Sequence, residues 1–319
     1  VAKPALNIQR VAIDAKADGR MRAEVDLNRA VPGSTVGVEI VDEGGKTIAH
    51  SNRFAVGSDR TMIDFMVSHP RLWNAEQPYR YTAVFSLRDS GGRLLHVERQ
   101  KFGFRTIEYR HTYNGDAEDG VFINGKKVIF KGVNRHSFRP ETGRTLSIVK
   151  NIEDVKLIKS MNMNAVRLSH YPADPEFLEP VFHRFDLQQR VVLYPWANRN
   201  GFETKHYRSW GETAEYMRNK EIFMPTEFLH GLYDGGHGAG LKDYWQLMMS
   251  NPRCAGGFLW DLMDQGVVRT DMNGLIDCMG NFASDGIVGP HMEKEGSYYT
   301  IREIWCPVQI SREGNRLKV

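Results

Sequence analysis

Cysteine is scarce in this chain. There are three in 319 residues, Cys254, Cys278 and Cys306, odd in number and far apart. That argues against a disulfide framework and against the paired spacing of a structural zinc site. Long apolar runs are missing too: no stretch of 18 or more apolar residues occurs, so no segment reads as a membrane-spanning helix. Charge of one sign is nowhere concentrated. The formal net charge is +3 with no basic block, which leaves no electrostatic footprint for nucleic acid. The opening residues, VAKPALNIQR, lack the apolar core of a signal peptide and read as a chain that begins inside something longer. What remains is ordinary globular composition, 41% hydrophobic and 25% charged, in a chain long enough for two domains.

The first 110 residues carry a β pattern. Alternating runs recur at 20–28, 35–42, 60–67, 79–89 and 93–104, separated by the turn signals Asp18-Gly19, Gly44-Gly45 and Gly91-Gly92. About seven short strands in about 100 residues predict an immunoglobulin-like β-sandwich. Beyond residue 112 the period changes. KVIFKGVN at 127–134 reads as a strand. Residues 147–162 place Ile148, Ile152, Val155 and Ile158 at helical spacing, and NAVRLSHYP at 164–172 reads as a strand again. Strand, helix, strand is the unit of a parallel sheet or barrel. Further strands are expected at 190–197, 203–207, 221–228 and 255–261, with a helix at 241–250. Their C-terminal ends collect reactive groups: Asn134 to His136, Ser169 to Tyr171, His206 and Tyr207, Glu227, and Trp260 with Asp261. That is the sequence form of the mouth of a (β/α)8 barrel. The count falls short, with six strand candidates in the 180 residues from Val121 to Thr300, where such a barrel takes about 250. The shortfall falls near Glu179–Pro180, within EFLEPVFHRF at 176–185, with a helix-like stretch before that join and a polar stretch after it.

Four blocks in order, FINGKKVIFKGVNRH, NMNAVRLSHYPADPEF, MPTEFLHG and GGFLWDLMDQG, resemble the barrel of glycoside hydrolase family 2, the β-galactosidase family. Upstream, LWNAEQPYRYTAVFSL and KFGFRTIEYR resemble its immunoglobulin-like domain. The resemblance implies a sandwich over 1–112, a catalytic barrel over 113–306 with a gap near 179–180, and the start of a following β domain or a tail over 307–319. It also marks two departures. The family's leading jelly-roll domain has no counterpart, and neither does the Asn-Glu pair whose Glu is the general acid/base; roughly fifty residues are expected to be missing from the barrel.

The family's chemistry implies roles. Retaining hydrolysis uses two carboxylates about 5–5.5 Å apart, and Glu227, in MPTEFLHG, matches the nucleophile. It must stay ionised, which a nearby cation favours, and Arg167 matches that partner. Tyr207 matches a tyrosine that hydrogen-bonds the nucleophile. His136, His170, His206 and His230 fall on positions lining the sugar subsite, where an imidazole offers both a donor and an acceptor to a hydroxyl. Asn134 is expected to bind substrate or to cap its strand end, and Trp260 to floor the sugar site. Phe282 and Asp285, in NFASDGIVG, correspond to the segment that reaches the sugar's C6 hydroxyl. The best-known members carry Asn where this chain has Asp285. A carboxylate there repels a uronic acid and favours a neutral, galactoside-like sugar.

The reading is therefore a retaining exo-β-glycosidase, a β-galactosidase first, acting on terminal β-linked sugars of an oligosaccharide or β-glycoside. No metal, no cofactor, no nucleic acid and no membrane partner is expected, and a homo-oligomer is open. The expected chain is soluble, periplasmic or secreted rather than cytoplasmic. Three alternatives stand beside this reading: a β-glucuronidase of the same family, a non-catalytic sugar-binding or scaffold fragment without the acid/base, and a metal-dependent barrel hydrolase built on the histidines.

Overall fold

The computed structural model describes residues 3–170, 187, 191, 193–231 and 237–319. The join at Glu179–Pro180 and the helix expected just before it lie outside these. The described residues fall into two compact units, one built on residues up to Glu108 together with Phe122–Lys126 and residues 187 and 191, the other on the rest of the described chain.

The first unit is a sandwich of two antiparallel sheets. One sheet orders the strands Ile8–Ala15, Arg20–Leu27 and Arg60–Met66; the other orders Thr47–His50, Thr35–Val41, Tyr81–Arg88 and Leu94–Phe102, with Phe54–Ala55 also pairing Thr35–Val41. Tyr81–Arg88 shows why these residues form strands: its burial alternates residue by residue, so one face of the pleat enters the core. That core holds Ile8, Met21, Val25, Val36, Ile40, Ile63, Phe85, Leu87 and Phe104. The strand Ile8–Ala15 and the short Thr47–His50 were not expected from sequence.

The second unit is an arc of parallel strands backed by helices. Phe130–Arg135 sits between Ala165–Leu168 and Gly256–Leu259, parallel to both. Parallel pairing continues through Phe228 to Leu259, through Ile222–Phe223 to Phe202–Glu203, and through His206 to Glu227. The strand order is thus 165–168, 130–135, 256–259, 222–228, 202–207. Each strand is followed by polar or aromatic residues at the same end of the sheet. This is an incomplete (β/α) barrel: among the described residues, five parallel strands are present. Close approach along the arc depends on Gly256, at φ +85°, where a Cβ would stand 2.0 Å from the Phe130 carbonyl oxygen.

The helices are Ile148–Ser160, Trp210–Tyr216, His237–Met249 and Gly296–Ile304. Ser147 caps the first, its side chain accepting from the Lys150 amide at 3.3 Å. Ser209 and Glu212 form a reciprocal capping box on the second. Two expectations fail here. Residues 191 and 193–197 carry no strand; Pro195 and Trp196 form a turn instead, and Pro195 has no N–H for a ladder. The first helix is also rotated from its predicted face. Ile148, Ile152 and Val155 are exposed, whereas Asp154, Leu157 and Ile158 are buried. The reason is ionic. Asp154, one turn before Leu157 and Ile158, is drawn inward by Arg135 and Arg139.

Candidate active site

The strand ends of the arc converge on Glu227. Its carboxylate is 4% exposed, and removing such a group from water costs several kcal/mol unless it is paired and hydrogen-bonded. Here both oxygens are engaged. Arg167 Nη1 donates to Oε1 at 2.7 Å, and His170 Nε2 stands 3.4 Å from the same oxygen. The Tyr207 hydroxyl donates to Oε2, and His206 Nδ1 stands 3.3 Å from it. Burial, reinforced by the bond to Glu227, pushes the Tyr207 phenol well above its ordinary range, so it remains a donor.

Asn134 explains how Arg167 is aimed. It is fully buried. Its amide donates to the carbonyls of Thr226 at 3.0 Å and Leu259 at 3.1 Å, and its Oδ1 accepts from Arg167 Nη1 at 2.5 Å and from Ser169 at 3.2 Å. One side chain therefore ties the ends of four strands together. Of the two roles expected for it, substrate contact or strand-end cap, these bonds are of the second kind, and they position the arginine that holds the carboxylate.

The aromatic groups form a second cluster around Trp260. His170 stacks on its ring at 4.8 Å with planes 6° apart, and His136 meets both rings edge-on at 5.2 and 5.3 Å. Tyr207 and His230 lie edge to face at 5.1 Å. Trp260 was expected to form an apolar floor for the sugar face. It is buried, one face covered by His170, and its indole N–H donates to Asp285 Oδ2 at 2.8 Å. Asp285 is buried as well, with His230 Nε2 3.2 Å from the same oxygen. Burial opposes its charge, but the bonds from His230 and Trp260 outweigh this and hold it below the usual carboxylate range. His206 is buried behind Glu227, with its Nε2 2.8 Å from the Thr226 hydroxyl. Burial pushes His206 to about 4, and burial with the neighbouring His170 pushes His136 to about 4 also. Both are neutral at pH 7. Phe282 is the outlier, 68% exposed on a turn, with no ring contact to the cluster among the described residues.

Thr226, Arg139 and Asp154 were not singled out from sequence, and Ser169 and Arg135 were placed at strand ends without a role. Thr226 and Ser169 brace His206 and Asn134. Arg135, Arg139 and Asp154 form a buried ionic triad flanking His136: Arg135 donates twice to Asp154 Oδ2, at 2.9 and 2.6 Å, and Arg139 to Oδ1. Helical spacing to Leu157 and Ile158 was the available signal for Asp154. Among the described residues, no three His, Cys, Asp or Glu side chains are grouped to hold a metal ion.

Comparison with known sequences bears on this geometry. Residues 6–105 match the family model described as Glycosyl hydrolases family 2, and residues 117–186 match the one described as Glycosyl hydrolases family 2, TIM barrel domain, together more than half the chain. The chain belongs to glycoside hydrolase family 2. Among curated family members, the β-galactosidase of Halalkalibacterium halodurans is 24% identical over 324 residues, covering 74% of this chain and 31% of that protein. The β-galactosidase of Vibrio cholerae is 22% identical over 432 residues, covering 99% of this chain and 41% of that protein. The chain thus spans well under half the length of these relatives. The second alignment runs over 432 positions against a chain of 319. The excess consists of positions the relative has and this family 2 chain lacks, and it exceeds the fifty or so residues inferred from barrel length. Solved neighbours include a Bifidobacterium dentium β-glucuronidase complexed with coumarin-3-O-glucuronide, TM-score 0.75, 18% identical, covering 95% of this chain and 67% of that one. A Faecalibacterium prausnitzii β-glucuronidase has TM-score 0.71 and 19% identity, covering 95% and 66%. At such identities the likeness carries the fold.

Proposed function

We propose that this chain carries the nucleophile half of a retaining β-glycosidase site, with Glu227 as nucleophile and a terminal β-galactoside as substrate. The observation that supports it is the engagement of Glu227: a buried carboxylate at a strand end, with Arg167 on one oxygen and Tyr207 on the other. Arg167 favours the ionised form that attack requires. Glu227 attacks the anomeric carbon, the bond to the leaving oxygen breaks, and a glycosyl ester forms. Charge then leaves the carboxylate and the Tyr207 bond weakens; hydrolysis of the ester, the second inversion, needs a general base to take the proton of the attacking water. The acid/base glutamate of the family resemblance has no counterpart in the 319 residues. Ester formation is therefore the step these residues support, and it proceeds best with leaving groups that need no proton.

Substrate choice rests on Asp285. An ionised carboxylate held by His230 and Trp260, with His230 in turn against Tyr207, disfavours a uronic acid. The curated relatives are named β-galactosidases and the solved neighbours β-glucuronidases, so the two sugars are the ones to separate. The test is a set of 2,4-dinitrophenyl 2-deoxy-2-fluoro-β-glycosides of the galacto, gluco and glucurono series. We expect the galacto reagent to add one sugar mass to the peptide containing Glu227. Labelling of a different carboxylate would remove Glu227 from its role, and preference for the glucurono reagent would overturn the sugar assignment.

A further inference from the structure

We propose that Trp196 is the platform of a leaving-group subsite, taking the second sugar ring of a β-linked disaccharide. The proposal rests on the glycosidase reading above and adds to it a site of its own. The turn Tyr194-Pro195-Trp196-Ala197 is closed by the Ala197 amide donating to the Tyr194 carbonyl at 3.2 Å. Proline second and a left-handed residue third is the pattern of a type II turn, and the third position calls for Gly or Asn. This chain places a tryptophan there, at φ +70°. A large side chain held in that conformation is strained, and strain of this kind collects at ligand sites.

The turn is firmly held in spite of it. Thr204 donates its hydroxyl to the carbonyls of Tyr194 and, at 3.1 Å, Ala197, and Lys205 Nζ donates to the Trp196 carbonyl at 3.3 Å. These bonds hold the backbone of the turn, and the indole it carries reaches the nucleophile through one intervening ring. Its ring lies 4.5 Å from that of His206, and His206 Nδ1 is 3.3 Å from Glu227 Oε2. The Arg208 guanidinium lies 5.5 Å from the indole centre. Trp196 is nevertheless 52% exposed. An aromatic face with a cation beside it, one ring removed from the nucleophile, suits a pyranose: the apolar C–H face packs on the indole and Arg208 donates to ring hydroxyls. His206 itself is buried and occupied, so the exposed part of the indole is the surface on offer.

The test uses the full chain carrying Glu227→Gln, so that ligands are not turned over, and titrates methyl β-glycosides of galactose, glucose and glucuronic acid against the β-1,4-linked disaccharide of each. Whichever sugar binds, the disaccharide is expected to bind about tenfold tighter than its methyl glycoside, the size of one ring stack. Adding Trp196→Gly should abolish that ratio, leave the methyl glycoside affinity intact, and leave Tm unchanged or raised because the turn is relieved. Trp196→Phe should keep most of the ratio. If the methyl glycoside binds but the ratio survives Trp196→Gly, the subsite is refuted and the glycosidase reading stands. If Trp196→Gly lowers Tm and both affinities together, Trp196 only supports His206, and the subsite is again refuted. If no saccharide binds at all, both readings fall.

Discussion

Asp154→Asn tests whether the ionic triad organises the barrel mouth. Asp154 is 1% exposed and is the shared acceptor of Arg135 and Arg139, themselves 8% and 5% exposed. The substitution removes the carboxylate and leaves two buried guanidinium groups. Part of their bonding survives: Arg135 keeps Ser137 at 2.9 Å and Asn151 at 2.6 Å, and Arg139 keeps the Phe138 carbonyl at 2.8 Å. Breaking a buried ion pair by removing one partner costs about 3–5 kcal/mol. For a domain of 150–250 residues each kcal/mol moves Tm by about 2–4 °C, so a fall of roughly 6–20 °C is expected. Scanning calorimetry reads it as a shift in the barrel's transition, with the sandwich transition as internal reference. The triple variant Arg135→Met, Asp154→Leu, Arg139→Met should recover most of the loss, because replacing a whole buried ionic group by apolar side chains is close to neutral. Its KM for an activated β-glycoside should still rise, since both arginines flank His136 in the chain. A Tm change below about 2 °C for Asp154→Asn would refute the account of why the first helix is rotated.

Two further outcomes follow from the site. Arg167→Met should lower kcat/KM by about 10²–10³, the usual loss on removing one preorganised charge from a reacting group; activity within tenfold of the parent would separate Arg167 from Glu227 function. The buried His206 has its pKa depressed from 6.5 to about 4 by burial, partly opposed by Glu227. A depressed folded value means the unfolded chain binds the proton first. Its stability contribution is full above pH 6.5 and is lost as pH falls from 6.5 through about 4, by at most about 3 kcal/mol. Urea midpoints at pH 7.5 and 4.5 should therefore diverge less in His206→Gln than in the parent, and an equal divergence would refute it.

The sequence alone determined most of the element types and most of the groups at the barrel mouth. Strand alternation in Tyr81–Arg88 and four ordered blocks containing Asn134, Arg167, Glu227 and Trp260 are local signals, set by backbone period and residue type. What each group faces is not local. From sequence Asn134 could bind substrate or cap its strand, and Trp260 could floor the sugar; their burial follows from polar atoms that bond to carbonyls and a carboxylate more than twenty residues away in the chain. The helix Ile148–Ser160 was legible as a helix, but its buried face was not, since two arginines from the preceding strand and loop overrode its apolar stripe. Likewise, YPWA reads as the end of a strand. The bond closing Tyr194 to Ala197 and those from Thr204 and Lys205 show that it is a turn, with its indole against His206. Side-chain partners at long separation are set by tertiary packing, and no period or motif within the chain encodes them.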